Sequence, residues 1–192
     1  MEKVKFKYTI QAQLLRMLRK HATTALMFAL IWLIMISLWA TTVGSYIFAA
    51  LGTLGYFFAI YNEGCDSAID DKKPYSPLTP KPLKGLYLPV LLTVINILII
   101  IIYKCSWRFG ATDGSLTNAW GLAGNVISIL WFCMYKTLLG MDKGHFELQG
   151  YLIIVFLPYI ASFLGYYAGY KGYDIYGKLN SLAYEKSKKK KK

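Results

Sequence analysis

The chain has 192 residues, of which 56% are hydrophobic and 16% aromatic, and its 22 Lys and Arg outnumber 10 Asp and Glu, for a formal net charge of +12. A soluble domain of this length cannot bury so large an apolar fraction, because its surface-to-volume ratio is too high. The apolar residues also form blocks close to the roughly 20 residues that a helix needs to cross a bilayer core of about 30 Å. The composition excludes a soluble globular domain and predicts an all-α, polytopic integral membrane helix bundle, with residues 1–192 forming a single membrane domain.

The first 21 residues are basic and precede the first apolar block. In residues 9–21, Ile10, Leu14 and Met17 share one helical face, whereas Arg16 and Arg19 lie toward the other. This pattern predicts either an amphipathic helix on the inner membrane surface or a cytoplasmic extension of the first spanning helix. No convincing small-residue cleavage site follows, so we expect no removed signal peptide.

Five apolar runs follow one another along the chain. They cover residues 22–39, 43–61, 86–103, 119–139 and 151–168. The fourth run is the weakest, because it contains Asn125 and Lys136 together with Trp120 and Trp131. Tryptophan favours the membrane interface and an intramembrane lysine is costly. We therefore predict four spanning helices plus one outer-leaflet interfacial or re-entrant helix at 119–139, with five spanning helices as the alternative.

Positive charge predicts which side of the membrane each segment occupies, because Lys-rich and Arg-rich loops stay in the cytoplasm. The N-terminal segment 1–21, the segment 62–85 and the Lys-rich tail 173–192 all carry such charge. We expect a multi-pass protein of the cell membrane with both termini cytoplasmic. The lysine tail also suits anionic lipids of the inner leaflet.

Residues 62–85 separate the second and third apolar runs and hold four acidic candidates for a functional site. These are Glu63, Asp66, Asp70 and Asp71, candidates for partner docking or for cation binding. If the second helix continues, the first three share one face at its negative end, where acids are disfavoured. We expect either Lys72 and Lys73 or the basic N-terminal segment to offset them. The prolines that follow, at 74, 77, 80 and 82, predict a semi-rigid extended strap.

Small residues on two of the runs indicate close helix packing, since they let helix backbones approach in lipid. The candidate packing residues are Ser45, Ala49, Gly52 and Gly55 in the second run and Ala161, Gly165 and Gly169 at the end of the fifth. Helices 43–61 and 151–168 should therefore pack on each other, or mediate self-association or contact with a protein partner.

Three polar side chains stand out within the apolar runs: Asn96, Asn125 and Lys136. A polar amide in lipid seeks a hydrogen-bond partner, so we predict that Asn96 pairs with Asn125. The alternative interpretation is that these residues line a substrate path.

Motifs for chemistry are scarce in this sequence. The three cysteines Cys65, Cys105 and Cys133 fall in different segments, which argues against a disulfide framework and against a metal site. The two histidines lie far apart, and no catalytic motif accompanies them. We predict no enzymatic activity, no cofactor and no nucleic-acid partner; a membrane phosphotransfer enzyme using the 63–71 carboxylates is the weaker alternative.

The expected function follows from this scarcity of chemistry together with the packing stripes and charged segments. We predict a non-catalytic integral membrane subunit or accessory protein of a cytoplasmic-membrane complex. Usage rich in Ile, Lys and Tyr is typical of AT-rich bacterial genomes. A small oligomeric transporter or channel is the alternative.

Overall fold

The computed structural model describes residues 9–35, 41–112, 115–116, 119–139 and 148–173. The described chain is predominantly α-helical. Its α-helices are α1 (Ile10–Ile34), α2 (Thr42–Asp71), α3 (Val90–Gly110), α4 (Ala119–Trp131) and α5 (Leu148–Lys171). Two 3-10 helices, Pro82–Leu86 and Cys133–Leu139, precede α3 and follow α4. A two-residue antiparallel pair, β1 (Ala111–Thr112) with β2 (Ser115–Leu116), lies between α3 and α4.

Helix α1 is continuous through the basic segment and into the first apolar run. Thr9 caps its start, where the side-chain oxygen accepts from the Ala12 amide at 3.2 Å. The face formed by Gln13, Met17 and His21 is buried against the rest of the bundle. Residues 9–21 are therefore an extension of the first long helix and not a separate helix on the membrane surface. Residues 1–8 and 36–40 lie outside the described residues.

Helix α2 continues ten residues beyond the end of its predicted apolar run at position 61. Its 30 residues measure about 45 Å at 1.5 Å each, well beyond a bilayer core of about 30 Å. The acidic stretch up to Asp71 is thus helical. The strap, residues 72–85, then leaves the helix in a series of turns, and Pro82 opens the 3-10 helix that leads to α3.

Four helices of the described chain are long and apolar enough to cross a membrane: Ile10–Ile34, Thr42–Asp71, Pro82–Arg108 and Gly150–Lys171. Helix α4 has 13 residues and reaches only about 20 Å. The backbone then departs from helical geometry at Tyr135, where φ is −138°. The weak fourth run is therefore a short helix followed by a kinked 3-10 segment. That segment includes Lys136, whose side chain lies outside the described residues.

Helices α2 and α5 pack closely and run parallel. A Cβ atom added at Gly165 would collide with the Tyr61 carbonyl oxygen, and one added at Gly169 would lie 2.6 Å from the Cys65 carbonyl oxygen. A Cβ atom added at Gly64 would likewise lie 2.7 Å from the Ser162 carbonyl oxygen of α5. The ends of both helices therefore lie at the same end of the bundle.

The two helices pack on each other as predicted, but two glycines of the predicted stripe on α2 contact other elements. Gly52 faces the backbone of Met134 and Gly55 faces the Phe28 ring, while Ser45 is half-exposed. Because successive residues turn by 100° around a helix, glycines only a few positions apart along α2 face different neighbours. A small residue indicates that another element packs closely at that position, but it does not indicate which element.

Candidate functional site

The acidic end of α2 forms a charged cluster with α1. Glu63, Ser67 and Asp70 share one helical face, and Arg16 of α1 reaches all three. The Arg16 Nη1 donates to Asp70 Oδ2 at 2.7 Å, and Nη2 lies 3.4 Å from Ser67 Oγ. The Arg16 Nε lies 3.1 Å from Glu63 Oε1, an ion pair without the alignment of a hydrogen bond. The basic N-terminal segment thus offsets the unfavourable position of these acids.

Asp70 has a second cationic partner, which lies at the start of the strap. The Lys73 Nζ donates to Asp70 Oδ1 at 2.6 Å, three residues further along the chain. Both Asp70 oxygens are therefore occupied by charged donors. Since a charge-assisted hydrogen bond is roughly twice as strong as a neutral one, this carboxylate fixes the start of the strap to α1.

Asp71 is the most enclosed acid, with a side chain that is 0% exposed. Three donors from three elements converge on it: Gln13 Nε2 at 2.7 Å, Lys84 Nζ at 2.5 Å and the Tyr166 hydroxyl at 2.6 Å. They come from α1, from the strap and from α5. A buried charge is tolerated only when it is paired and hydrogen-bonded, and Asp71 meets both conditions. It therefore connects α2 with α1, the strap and α5.

Of the two strap lysines offered as counterions, Lys73 pairs with Asp70, whereas Lys72 contacts none of these acids. The Lys72 Nζ donates to the Gly169 carbonyl oxygen at 3.0 Å and lies 5.8 Å from the centroid of the Tyr170 ring. A cation there satisfies a terminal carbonyl of α5 and complements the negative end of that helix. The Ser162 hydroxyl donates to the Gly85 carbonyl oxygen at 2.8 Å, so the far end of the strap is held by α5 as well.

The four acidic candidates therefore differ in what they can do. Glu63, Asp70 and Asp71 are buried and engaged by Arg16, Lys73 and Lys84, whereas Asp66 is exposed. Among the residues that the structure describes, no group of three His, Cys, Asp or Glu side chains is placed to hold a metal ion. This arrangement makes the acidic cluster a clamp between helices.

The predicted hydrogen bond between Asn96 and Asn125 does not form. The Asn96 Oδ1 instead accepts from Trp131 Nε1 at 2.8 Å, and its Nδ2 makes a longer contact of 3.5 Å with the Ile154 carbonyl oxygen. Asn125 is half-buried. Its neighbour Gly124 takes the position against α3, where an added Cβ atom would collide with Ser106. The rotation of α4 about its axis therefore aims Asn125 elsewhere.

His21 is a buried polar residue that sequence reasoning missed. Its Nδ1 lies 3.1 Å from the Tyr56 hydroxyl, and its ring centroid lies 4.5 Å from that of Trp131. The Tyr56 ring in turn packs edge-on against the Tyr135 ring, with 5.9 Å between the ring centroids. His21 follows Gln13 and Met17 at helical spacing, and this was the available signal that it faces the interior.

Comparison of the chain with protein-family models, with curated proteins and with solved structures finds no match in any of the three.

Proposed function

We propose that this chain is a multi-pass membrane protein in which α1, α2, α3 and α5 cross the bilayer and α4 lies in the outer leaflet. Many side chains on the outer faces of the long helices are large, apolar and exposed, as a lipid-facing surface requires. The start of α1, the end of α2 and the end of α5 share one end of the bundle. That geometry supports an even number of crossings with both termini on the cytoplasmic side.

The protein acts by binding and not by chemistry, as a non-catalytic accessory subunit of a bacterial cytoplasmic-membrane complex. The observation that carries this proposal is the internal pairing of Glu63, Asp70 and Asp71. Asp70 and Asp71 hold the strap through Lys73 and Lys84, Glu63 pairs with Arg16, and none of the three is presented to a substrate. Because these contacts fix the strap before a partner binds, they lower the entropic cost of docking a partner on it.

The strap region is the proposed contact surface for that partner. Tyr75, Leu83 and Tyr87 expose 62%, 59% and 64% of their surface, although their segment is anchored through Lys84 and Gly85. Exposed apolar and aromatic residues on a proline-rich segment are typical of a docking surface. The acidic residues therefore contribute indirectly, because they position the strap.

Crosslinking in membranes before detergent extraction, followed by mass spectrometry, tests this proposal. We expect a stoichiometric second protein linked through Lys72 or Lys81. Replacing Tyr75 and Leu83 together by Ala should abolish the crosslink, while Leu152→Ala on an exposed face of α5 should leave it unchanged. Purification of the chain alone, with no crosslinked partner before extraction, would contradict an accessory role.

A small oligomeric transporter is the second candidate, favoured by the buried polar residues near the centre of the bundle. The Tyr135 hydroxyl is buried without a hydrogen-bond partner among the described residues, and the buried His21 ring lies close to Tyr56 and Trp131. Intramembrane ionisable groups commonly mark ion or proton pathways. Flux of ions or protons through proteoliposomes that is lost in His21→Phe and Asn96→Leu would support transport. No flux above that of empty liposomes would exclude it.

A further inference from the structure

A groove of about 530 Å³ lies on the outer surface beside the strap. It is lined by Leu86 and by one face of α5, from Val155 to Leu164. All of its lining side chains are apolar or aromatic. In the proposed membrane orientation, the groove starts at the cytoplasmic interface and runs into the hydrocarbon region along α5.

The side chains that line the groove suit a flexible acyl chain better than a second helix. The small residues of α5 that permit close approach, Ala161, Gly165 and Gly169, are buried on its inner side. The outer side carries Phe156, Ile160 and Leu164 instead, and bulky residues keep another helix backbone at a distance. The close-packing face of α5 is therefore already used by α2.

Two lysines, Lys171 and Lys81, lie beyond the groove lining, on α5 and on the strap. Ile160, Leu164, Tyr167 and Lys171 follow one another along a single helical stripe, and the Lys171 Nζ lies 5.7 Å from the centroid of the Tyr167 ring. Lys81 is exposed and immediately precedes the 3-10 helix that contains Leu86. Within the described residues, neither ammonium group forms an ion pair with a carboxylate.

We propose that this groove binds an anionic phospholipid, with one acyl chain against the outer face of α5 and the headgroup phosphate held by Lys171 and Lys81. The apolar lining matches the chain, and the two cations at one end match a headgroup with net negative charge. This inference rests on the proposed membrane placement and adds a lipid site to it.

Native mass spectrometry of the full-length protein tests the site. The protein is held in mixed micelles with equal amounts of dioleoylphosphatidylglycerol and dioleoylphosphatidylcholine. We expect one phosphatidylglycerol to be retained in preference. Lys171→Gln should weaken that retention about fivefold, the factor expected for one lysine at a membrane surface. Leu164→Trp should fill the groove and reduce retention of either lipid.

Two matched variants control for general effects on lipid binding. The Lys104 Nζ also lies over a tyrosine, 5.1 Å from the centroid of the Tyr151 ring, but at the opposite end of the bundle. Val94 is an exposed apolar residue on α3, outside the groove. Lys104→Gln and Val94→Trp should both retain the lipid preference of the unchanged protein.

Several outcomes would overturn the lipid site. Equal retention of both lipids would contradict the headgroup contact. So would an equal loss of lipid retention in Lys104→Gln and Lys171→Gln. A dimer that dissociates in Leu164→Trp while lipid retention is unchanged would assign the groove to a second copy of the chain. Flotation with liposomes after alkaline extraction separates the two proposals: a chain that fails to float refutes the membrane placement, whereas one that floats without lipid preference refutes only this site.

Discussion

Single residues decide whether the charged end of the bundle holds together. Asp71 accepts from Gln13, Lys84 and Tyr166, so it carries more cross-connections than any nearby acid for which hydrogen bonds are described. Asp66, five residues earlier on the same helix, is exposed. Both are aspartates of the same helix, and the pair compares an exposed carboxylate with a buried one.

Asp71→Asn should lower the free energy of unfolding by about 3–5 kcal/mol, because it leaves the Lys84 ammonium buried without its counterion. Asp66→Asn should change it by no more than about 0.5 kcal/mol. Thermal unfolding of the two variants in the same detergent measures the difference. The double variant Asp71→Asn with Lys84→Met should recover part of the loss. Equal melting temperatures for the two single variants would contradict the proposed clamp.

Asn96 and Trp131 should be energetically coupled, whereas Asn96 and Asn125 should not be. Interhelical hydrogen bonds in membrane proteins contribute on the order of 1 kcal/mol or less. A double-mutant cycle of Asn96→Leu with Trp131→Phe should therefore show a coupling of that size. The parallel cycle with Asn125→Leu should show none. Coupling to Asn125 alone would restore the hydrogen bond expected from sequence.

At the scale of elements, the parallel contact of α2 with α5 depends on the absence of side chains at a few positions. Gly64, Gly165 and Gly169 bring backbone atoms of the two helices together, and Ser162 ties the same region to the strap. The cluster around Asp71 lies at the end of this contact. Separation of the two helices would therefore also disturb the clamp that holds the strap.

Gly165→Ala should destabilise the protein by about 1–3 kcal/mol, because the new Cβ atom collides with the Tyr61 carbonyl oxygen and the backbone must shift. Ala50→Val adds atoms to α2 on an exposed face and should have an effect below about 0.5 kcal/mol. Detergent melting curves measure both effects. An alanine at position 165 without effect would mean that the two helices lie further apart than described.

At the scale of the whole molecule, the proposed topology requires an even number of crossings. A reporter active only outside the cytoplasm, fused after Lys192, should therefore be silent, and the same reporter inserted between Thr112 and Ser115 should be active. A cytoplasmic reporter at the same two sites should give the opposite pattern and controls for expression. Activity of the external reporter after Lys192 would indicate five crossings and a tail on the outer side.

Composition and periodicity alone determined the helical class and the presence of four long apolar helices with a shorter one between the third and the last. These properties are local, since the length and polarity of a run follow from consecutive residues. The sequence also predicted Glu63, Asp66 and Asp70 on one face of a continued helix; Glu63 and Asp70 do face Arg16, whereas Asp66 is exposed. It named Arg16 only as a member of a basic segment.

Only the tertiary structure decided which residues meet. The pairing of Arg16 with Asp70, the enclosure of Asp71 by three elements and the contact of Asn96 with Trp131 depend on how each helix is rotated about its own axis and how far it slides along its neighbour. Successive residues lie 100° apart around a helix. Gly124 packs against α3, so the next residue, Asn125, points away from Asn96. The same holds for His21: the spacing of residues along α1 indicates which face is buried, but only the packing shows that Tyr56 and Trp131 cover it.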